Sequence, residues 1–319
     1  MSINNPVKGV LPLIYIIWGL SLLFFFITFF TVIRNKADVK GVNVYRISKD
    51  LQIYESEIYK HYYEPMPGLK YYEDTFSSDS LNDAEYKTGK EPGIFRIITL
   101  GDSFTFGAAV VRFDNYPENL ERMLNVNLSC GEIRQFEVIN LGVYGYDLNY
   151  SLERYRKRGA KYNPDLVIWL LNDWNFNKYN EYYIPRDREI RSQLNITDDE
   201  DPRTLGIIRT ASSEIREKFG KDFFEKNAKN VLTQMIELTE GRLIIITLQS
   251  LPENFKKIVM NMSTGNKFRL KNDLIIPSDK NLWIPKDWHP NSQGYKYIAD
   301  NIFKYLLEKD LLKCDLKNY

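Results

Sequence analysis

The chain has 319 residues, of which 44% are hydrophobic and 14% aromatic, a composition that supports a sizeable core and excludes a disordered chain. Its 43 basic and 42 acidic residues leave a net charge of +1, which provides no bulk attraction for nucleic acid. The two cysteines, Cys130 and Cys314, have neither C-x-x-C spacing nor histidines beside them, so the sequence predicts no metal centre and no other cofactor. The sequence leaves open whether these cysteines form a disulfide.

An uncharged, strongly apolar stretch occupies residues 10–33, after a short N-terminal tail at residues 1–9. As a helix, this stretch is long enough to cross a hydrocarbon core of about 30 Å. It is longer than the roughly 7–15 apolar residues of a signal peptide, and no small-residue cleavage site follows it. We therefore predict an uncleaved, single-pass transmembrane helix that anchors the protein in a membrane.

The charges that flank this segment bear on its orientation. Lys8 precedes it, whereas Arg34, Lys36 and Lys40 follow it, so the positive-inside rule taken literally leaves the large domain in the cytoplasm. The difference is a few charges, and the free amino terminus offsets part of it. We expect the large domain to lie outside the cytoplasm, against the literal rule.

Residues 34–93 carry many tyrosines and charges with little periodicity, and we predict that this juxtamembrane segment packs on the following domain as an irregular layer. From 94 to 319, strand and helix patterns alternate, apart from a polar insertion at 175–206 that predicts a surface loop or a lid. Strands are predicted at 94–100, 136–141, 165–171 and 242–248, with a short fifth strand at 274–276, and helices at 116–124, 148–161, about 211–239 and 292–309.

The predicted strands are apolar on both faces and are separated by helices, which is the pattern of a parallel sheet covered on both sides. The predicted fold is therefore an α/β fold with a doubly wound, mostly parallel sheet. In such sheets, ligands bind beyond the carboxyl ends of the strands. Ser103, Gly142 and Asn172 each follow a different predicted strand, so we expect them to meet at one edge of the sheet.

A serine needs a base to act as a nucleophile at neutral pH, usually a histidine that is oriented by a carboxylate. The chain has two histidines. His61 lies among tyrosines before the α/β pattern begins, whereas His289 has Asp287 two residues before it. We predict Ser103 as the nucleophile, His289 as its base and Asp287 as the acid that orients the histidine.

Attack on an ester carbonyl develops negative charge on its oxygen, and preorganised donors must stabilise that charge. The backbone N–H of Gly142 and the side-chain amide of Asn172, together with the N–H of Ser103, are predicted to form this oxyanion hole. A glycine suits such a position because it lets a substrate approach the backbone closely.

Four blocks of the sequence resemble, in order, the four blocks of the SGNH hydrolases, also called GDSL-type esterases and lipases. They are Gly-Asp-Ser-Phe-Thr-Phe-Gly at 101–107, Asn-Leu-Gly-Val-Tyr-Gly-Tyr at 140–146, Leu-Asn-Asp at 171–173 and Asp-Trp-His-Pro-Asn at 287–291. The resemblance covers about residues 94–310 and implies a flavodoxin-like fold, the triad and the two oxyanion donors. With its N-terminal segment, the chain is similar to membrane-anchored bacterial members of the family.

Two positions depart from the family pattern. Leu171 stands where the third block usually has glycine, and Asp287 precedes His289 by two residues where three are more common. The shorter spacing resembles that of some bacterial members, so Asp287 is kept as the predicted acid.

These features predict a membrane-anchored serine ester hydrolase that forms an acyl-serine intermediate and removes acyl groups from cell-envelope glycans or lipids. Two alternatives stay open from the sequence. One is an O-acyltransferase, in which a sugar hydroxyl accepts the acyl group from the serine. The other is a catalytically silent subunit that serves in binding or assembly beside a membrane partner.

Overall fold

The computed structural model describes residues 51–53, 58–196, 201–265, 268–285, 287–312 and 314–317. The predicted tail at 1–9 and the predicted transmembrane helix at 10–33 lie outside these residues. Within the described ranges, none of the helices combines the length and the hydropathy that a membrane span requires.

Strands and helices alternate along most of the described chain. The strands are β1 (Leu51–Ile53), β2 (Tyr63–Pro65), β3 (Lys70–Tyr71), β4 (Asp74–Thr75), β5 (Ile94–Leu100), β6 (Leu128–Ser129), β7 (Gln135–Asn140), β8 (Leu166–Leu171), β9 (Leu243–Leu248), β10 (Arg269–Leu274) and β11 (Asp315–Leu316). The helices are α1 (Ser103–Phe106), α2 (Tyr116–Asn127), α3 (Leu148–Arg154), α4 (Asp173–Phe176), α5 (Asn180–Gln193), α6 (Thr204–Thr239), α7 (Glu253–Ser263) and α8 (Ser292–Glu308).

Five of these strands form the central sheet, in the order β10-β9-β8-β5-β7, and every neighbouring pair is parallel. Numbered within the sheet, this is the 2-1-3-4-5 order of flavodoxin-like folds, whose ligand crevice lies between the first and third strands. Here those two strands are β5 and β8. The prediction of an α/β fold with a doubly wound parallel sheet is confirmed.

Apolar side chains cover both faces of the sheet. Ile98 and Leu100 of β5 belong to one buried cluster, which also contains residues of α3, α6 and α7. Ile97 of the same strand belongs to a second cluster, which contains residues of α2 and α8. Successive side chains of a strand point to opposite faces, so this alternation shows that helices cover the sheet on both sides.

The fifth strand lies at Arg269–Leu274, before the predicted position at 274–276. Among the described residues it is an edge strand whose one partner is β9, and most of its side chains are partly exposed. An exposed edge strand can have a polar sequence, and this one does. The prediction relied on a run of apolar residues and therefore put the strand too far along the chain, at 274–276.

Two helices also differ from prediction. Part of the insertion predicted as a surface loop or lid is the helix α5, although Pro185 lies inside it. The region predicted to be helical from about residue 211 begins at Thr204 and contains a break at Gly220, where φ is 73° and ψ is 168°. A glycine adopts this conformation without the steric cost that other residues would incur.

Two sets of contacts attach the segments before β5 and after α8 to the rest of the domain. Cys130 and Cys314 form a disulfide across 184 residues of sequence, beside the antiparallel pair of β6 and β11. At the other end, the buried carboxylate of Glu64 forms ion pairs with Arg154 at 3.0 Å and Arg158 at 2.6 Å. The segment that precedes β5 therefore packs against α3 and the π turn that follows it (Tyr155–Gly159).

Candidate active site

Ser103 is the first residue of α1, just beyond the carboxyl end of β5. The turn between the two elements is tight: a Cβ at Gly101 would lie 2.2 Å from the Thr105 hydroxyl and 2.8 Å from the Leu170 carbonyl oxygen. Asp102 caps α1, because its Oδ1 accepts a hydrogen bond from the Phe104 N–H at 3.0 Å. The sequence Gly-Asp-Ser thus presents the Ser103 hydroxyl at the edge of the sheet.

The structure brings the three residues of the predicted triad together. Ser103 Oγ lies 2.8 Å from His289 Nε2, and His289 Nδ1 lies 2.7 Å from Asp287 Oδ1. With the proton of the neutral imidazole on Nδ1, where Asp287 accepts it, Nε2 is free to accept the serine hydroxyl proton. The three groups can therefore work as nucleophile, base and orienting acid.

The loop that carries Asp287 and His289 folds back on itself, which explains the short spacing between them. Asp287 Oδ1 also accepts hydrogen bonds from the backbone N–H of Trp288 at 2.5 Å and of His289 at 3.1 Å. Burial alone would raise the pKa of Asp287, but the hydrogen bond from the His289 ring, the electrostatic effect of that ring and the two backbone hydrogen bonds outweigh it and leave that pKa below its usual value. The Asp287 carboxylate is thus held ionised beside the imidazole ring.

Asn172 follows the end of β8 directly and caps α4. Its side-chain Nδ2 donates a hydrogen bond to Asp102 Oδ2 at 2.8 Å, and Asn175 Nδ2 donates to the same oxygen at 3.2 Å. An amide nitrogen carries two hydrogens, so the second N–H of Asn172 can serve a substrate. The structure thereby links Asn172 to the residue that precedes Ser103.

The sequence did not predict this contact between Asp102 and the two asparagine amides. Asp102 is 4% exposed, and burial raises its pKa although the Phe104 N–H, the two asparagine amides and His289 lower it. The feature of the sequence that could have indicated this contact is the position of the acidic residue Asp102, between the buried strand β5 and Ser103.

Gly142 lies two residues beyond the end of β7 and packs against α1. A Cβ at this position would lie 2.3 Å from the Phe106 nitrogen and 2.6 Å from the Thr105 carbonyl carbon. Its N–H donates to Asn140 Oδ1 at 2.9 Å. The glycine is thus required by close packing of two backbone segments, and its role as an oxyanion donor stays a prediction.

Aromatic rings surround the histidine. The ring centroid of Phe104 lies 5.4 Å from that of His289, and the ring centroid of Tyr144 lies 6.4 Å from it. The Tyr144 hydroxyl is 3.0 Å from the hydroxyl of Tyr71, which belongs to the segment before β5. The irregular sequence of that segment gave no signal that it reaches the site.

The described residues contain no group of three histidine, cysteine, aspartate or glutamate side chains arranged to hold a metal ion.

No protein-family model and no curated protein matches this sequence. Among solved structures, the chain is similar to the psychrotrophic esterase EstA of Pseudoalteromonas sp., with 14% identity over 67% of this chain and 97% of that chain and a TM-score of 0.44. It is also similar to a lipase/acylhydrolase of Enterococcus faecalis, with 14% identity over 70% of this chain and 100% of that chain and a TM-score of 0.44. A GDSL-like lipase of Bacteroides thetaiotaomicron shares 13% identity over 67% of this chain and 88% of that chain, with a TM-score of 0.36.

Proposed function

We propose that the protein is a serine ester hydrolase of the SGNH type that acts through an acyl-serine intermediate. Hydrogen-bond distances connect Ser103 through His289 to Asp287, and this geometry is the main support for the proposal. These residues come from opposite ends of the domain, and such an alignment at a sheet edge is the arrangement that activates a serine hydroxyl.

In the first half of the reaction, Ser103 Oγ attacks the ester carbonyl carbon while His289 Nε2 takes the hydroxyl proton. Asp287 stabilises the imidazolium that forms and keeps its ring oriented. The oxygen that gains negative charge faces Asn172 Nδ2 and the backbone N–H of Ser103. When the tetrahedral intermediate collapses, His289 gives the proton to the departing alcohol, and the acyl group stays on Ser103.

In the second half, water takes the place of the alcohol. His289 removes a proton from the water molecule as its oxygen attacks the acyl carbon, and the same donors stabilise the second oxyanion. Collapse returns the proton to Ser103 Oγ and releases the carboxylic acid.

The proposed setting is the cell envelope, with the protein anchored by residues 10–33 and the substrate an ester of an envelope glycan or lipid. The Cys130–Cys314 disulfide supports a catalytic domain outside the cytoplasm, because disulfides persist in oxidising compartments and are rare in cytosolic proteins. This evidence runs against the literal charge count at the ends of the predicted membrane segment.

A fluorophosphonate probe tests the proposal, since it reacts covalently with an activated serine. The full-length chain, solubilised in detergent, is expected to be labelled and to hydrolyse short-chain acyl esters, whereas Ser103→Ala loses both properties. Ser129→Ala is the matched control, because Ser129 is exposed on β6, outside the triad. Absence of labelling in folded wild-type protein would contradict the proposed function.

A further inference from the structure

Asn175 is the third residue of the short helix α4, and only 1% of its surface is exposed. A buried amide group needs hydrogen-bond partners, because an unpaired polar group in a protein interior is costly. The partners of Asn175 come from three different segments, and each of these segments follows a different strand of the central sheet.

The three contacts are direct hydrogen bonds. Asn175 Oδ1 accepts from the backbone N–H of Asn172 at 2.7 Å. Asn175 Nδ2 donates to Asp102 Oδ2 at 3.2 Å and to the backbone carbonyl oxygen of Tyr146 at 2.9 Å. Asp102 lies after β5, Asn172 follows β8 directly, and Tyr146 lies in the loop after β7. One side chain therefore connects the segments that follow three parallel strands at the candidate site.

These contacts use both amide hydrogens of Asn175 and engage its oxygen. The Tyr146 carbonyl group can only accept and the Asn172 N–H can only donate, so the surroundings of the Asn175 amide fix its orientation. Because its hydrogens are used and its surface is buried, Asn175 has no N–H to offer a substrate. An effect of Asn175 on the reaction must therefore act through the groups that it binds.

Asn172 is the group that such an effect would reach. Its Oδ1 accepts from the backbone N–H of Asn175 at 3.3 Å, and its Nδ2 donates to Asp102 Oδ2 at 2.8 Å. Asn175 thus binds Asn172 at the backbone N–H and at the side-chain oxygen. It also binds the carboxylate oxygen to which the Asn172 amide donates. These contacts leave one amide hydrogen of Asn172 for a substrate oxygen.

The helix that carries both asparagines cannot supply this precision by itself. Helix α4 has four residues, Asp173–Phe176, and a single helical turn is not stable on its own. An oxyanion donor acts only when it points at the oxygen that gains charge, and a displacement of about 1 Å can cost about 10² in rate. The position of the Asn172 amide therefore depends on contacts outside the helix, and Asn175 provides several of them.

We propose that Asn175 is a positioning residue for the oxyanion donor. It holds the Asn172 amide in place by binding Asn172 itself, the carboxylate of Asp102 and the loop after β7. This inference rests on the proposed function, and it assigns to Asn175 no contact with the substrate.

A double-mutant cycle on the full-length protein tests the inference, with a short-chain acyl ester as substrate. We expect Asn175→Ala to lower kcat about 10- to 100-fold and to change KM by less than about twofold, because the oxyanion forms only during the reaction. In the Asn172→Ala background, the same substitution should lower kcat by less than about twofold, because the donor that Asn175 positions is already absent.

Loss of the Asn175 amide also leaves buried groups without a partner, so a loss of folded protein must be measured separately. The end point of fluorophosphonate labelling counts the molecules with a folded site, and kcat is expressed per labelled molecule. If Asn175→Ala does not fold, Asn175→Ser takes its place in the cycle, because a single hydroxyl cannot donate to both Asp102 and Tyr146.

Asn177→Ala is the matched control, and it should keep the wild-type kcat. Asn177 is the residue directly after α4, and its side chain donates to the backbone carbonyl and the carboxylate of Asp173, outside the triad. It is thus an asparagine of the same region that does not bind Asn172 or Asp102 through these contacts.

The outcomes separate this inference from the proposed function. If Asn175→Ala keeps the wild-type kcat, or lowers kcat by the same factor in both backgrounds, Asn175 does not act through Asn172 and the inference is wrong, while the esterase proposal stands. An unchanged kcat in Asn172→Ala has the same consequence, since there is then no donor to position. If the folded wild type is neither labelled nor active on the ester, the proposed function fails and the inference fails with it.

Discussion

The two sides of the candidate site are built differently. On the nucleophile side, Ser103 and Asn172 lie at the ends of adjacent parallel strands, and the buried Asp102 connects them. On the base side, His289 and Asp287 lie in a loop that leaves Trp288 63% exposed. The sheet therefore preorganises the proposed nucleophile and the proposed oxyanion donor, whereas the proposed base depends on hydrogen bonds within its own loop.

The carboxylates of the two sides, Asp102 and Asp287, also differ in their hydrogen-bond partners and in the direction of their pKa shifts. Asp102 accepts hydrogen bonds from a backbone N–H and neutral amides, and burial raises its pKa. Asp287 is less buried and accepts from the ring of His289 and two backbone N–H groups, so its pKa is lowered despite burial. A carboxylate that positions neutral groups and one that stabilises a charge can thus be distinguished by the groups they bind.

Loss of the carboxylate on the base side should have the largest effect on activity. Asp287→Asn should lower kcat by about 10⁴, because the amide no longer stabilises the imidazolium and favours the wrong tautomer. Steady-state kinetics on a short-chain ester measure this change. Asp222→Asn, at an exposed position of α6, is the control, and a loss below about tenfold in Asp287→Asn would show that another group orients the histidine.

On the nucleophile side, Asn172→Ala should lower kcat by about 10²–10³, with little change in KM, because one oxyanion donor is removed. Asn172 also caps α4, so the same substitution removes a cap worth about 1 kcal/mol. Urea denaturation of the same variant measures the loss of the cap separately from the loss of kcat. A kcat of Asn172→Ala within about tenfold of the wild-type value would contradict the assignment of the amide as the donor.

Close packing on the nucleophile side predicts a loss of stability. Gly142→Ala should lower the free energy of unfolding by about 1–3 kcal/mol, because its Cβ would collide with the backbone of α1. Urea denaturation gives the measurement. Gly131→Ala is the matched control, since a Cβ there would meet no atom within 4 Å. Equal stability of the two variants would show that α1 can shift without cost.

The smallest expected effects are on the pH dependence of stability, and they have opposite signs on the two sides. Because the pKa of Asp102 is raised in the folded protein, protonation of its carboxyl group stabilises the folded state. This stabilisation is fully present below pH 3.8 and is lost as the pH rises through the folded-state pKa. Because the pKa of Asp287 is lowered in the folded protein, its ionised carboxylate stabilises the folded state. This stabilisation is fully present above pH 3.8 and is lost as the pH falls through the folded-state pKa.

Thermal denaturation at a series of pH values on both sides of pH 3.8 should therefore distinguish the carboxylates. We expect Asp102→Asn to reduce the pH dependence of stability above pH 3.8 and Asp287→Asn to reduce it below that pH. The same change in both variants would contradict the difference between the two carboxylates.

Much of the nucleophile side could be predicted from the sequence. Strand β5 is found at the predicted residues because most of its residues are apolar on both faces, a pattern typical of a covered parallel strand. Parallel strands place their carboxyl ends on one edge, so Ser103 and Asn172 could be expected to lie near each other. The contact from Asn172 to Asp102 could not be predicted, because it depends on which strands are neighbours in the sheet and on side-chain geometry.

The base side and its surroundings were less accessible to sequence analysis. The scarcity of histidine identified His289, but the fit of Asp287 depends on a loop that folds back over its own N–H groups. Tyr71 and Tyr72 come from a segment without periodicity, and the hairpin of β3 and β4 has tyrosine at a glycine position of its turn, so it gives no turn signal. The pairing of Cys130 with Cys314 likewise depends on geometry that spacing does not contain.

The most direct test of the central claim is the identification of the residue that carries the acyl group. Full-length protein is mixed with an activated acetyl ester, quenched in acid during turnover, digested and analysed by mass spectrometry. We expect the peptide containing Ser103 to gain the mass of one acetyl group, and this adduct to be absent from Ser103→Ala. Ester hydrolysis with the acetyl group on another residue, or unchanged hydrolysis by Ser103→Ala, would contradict it.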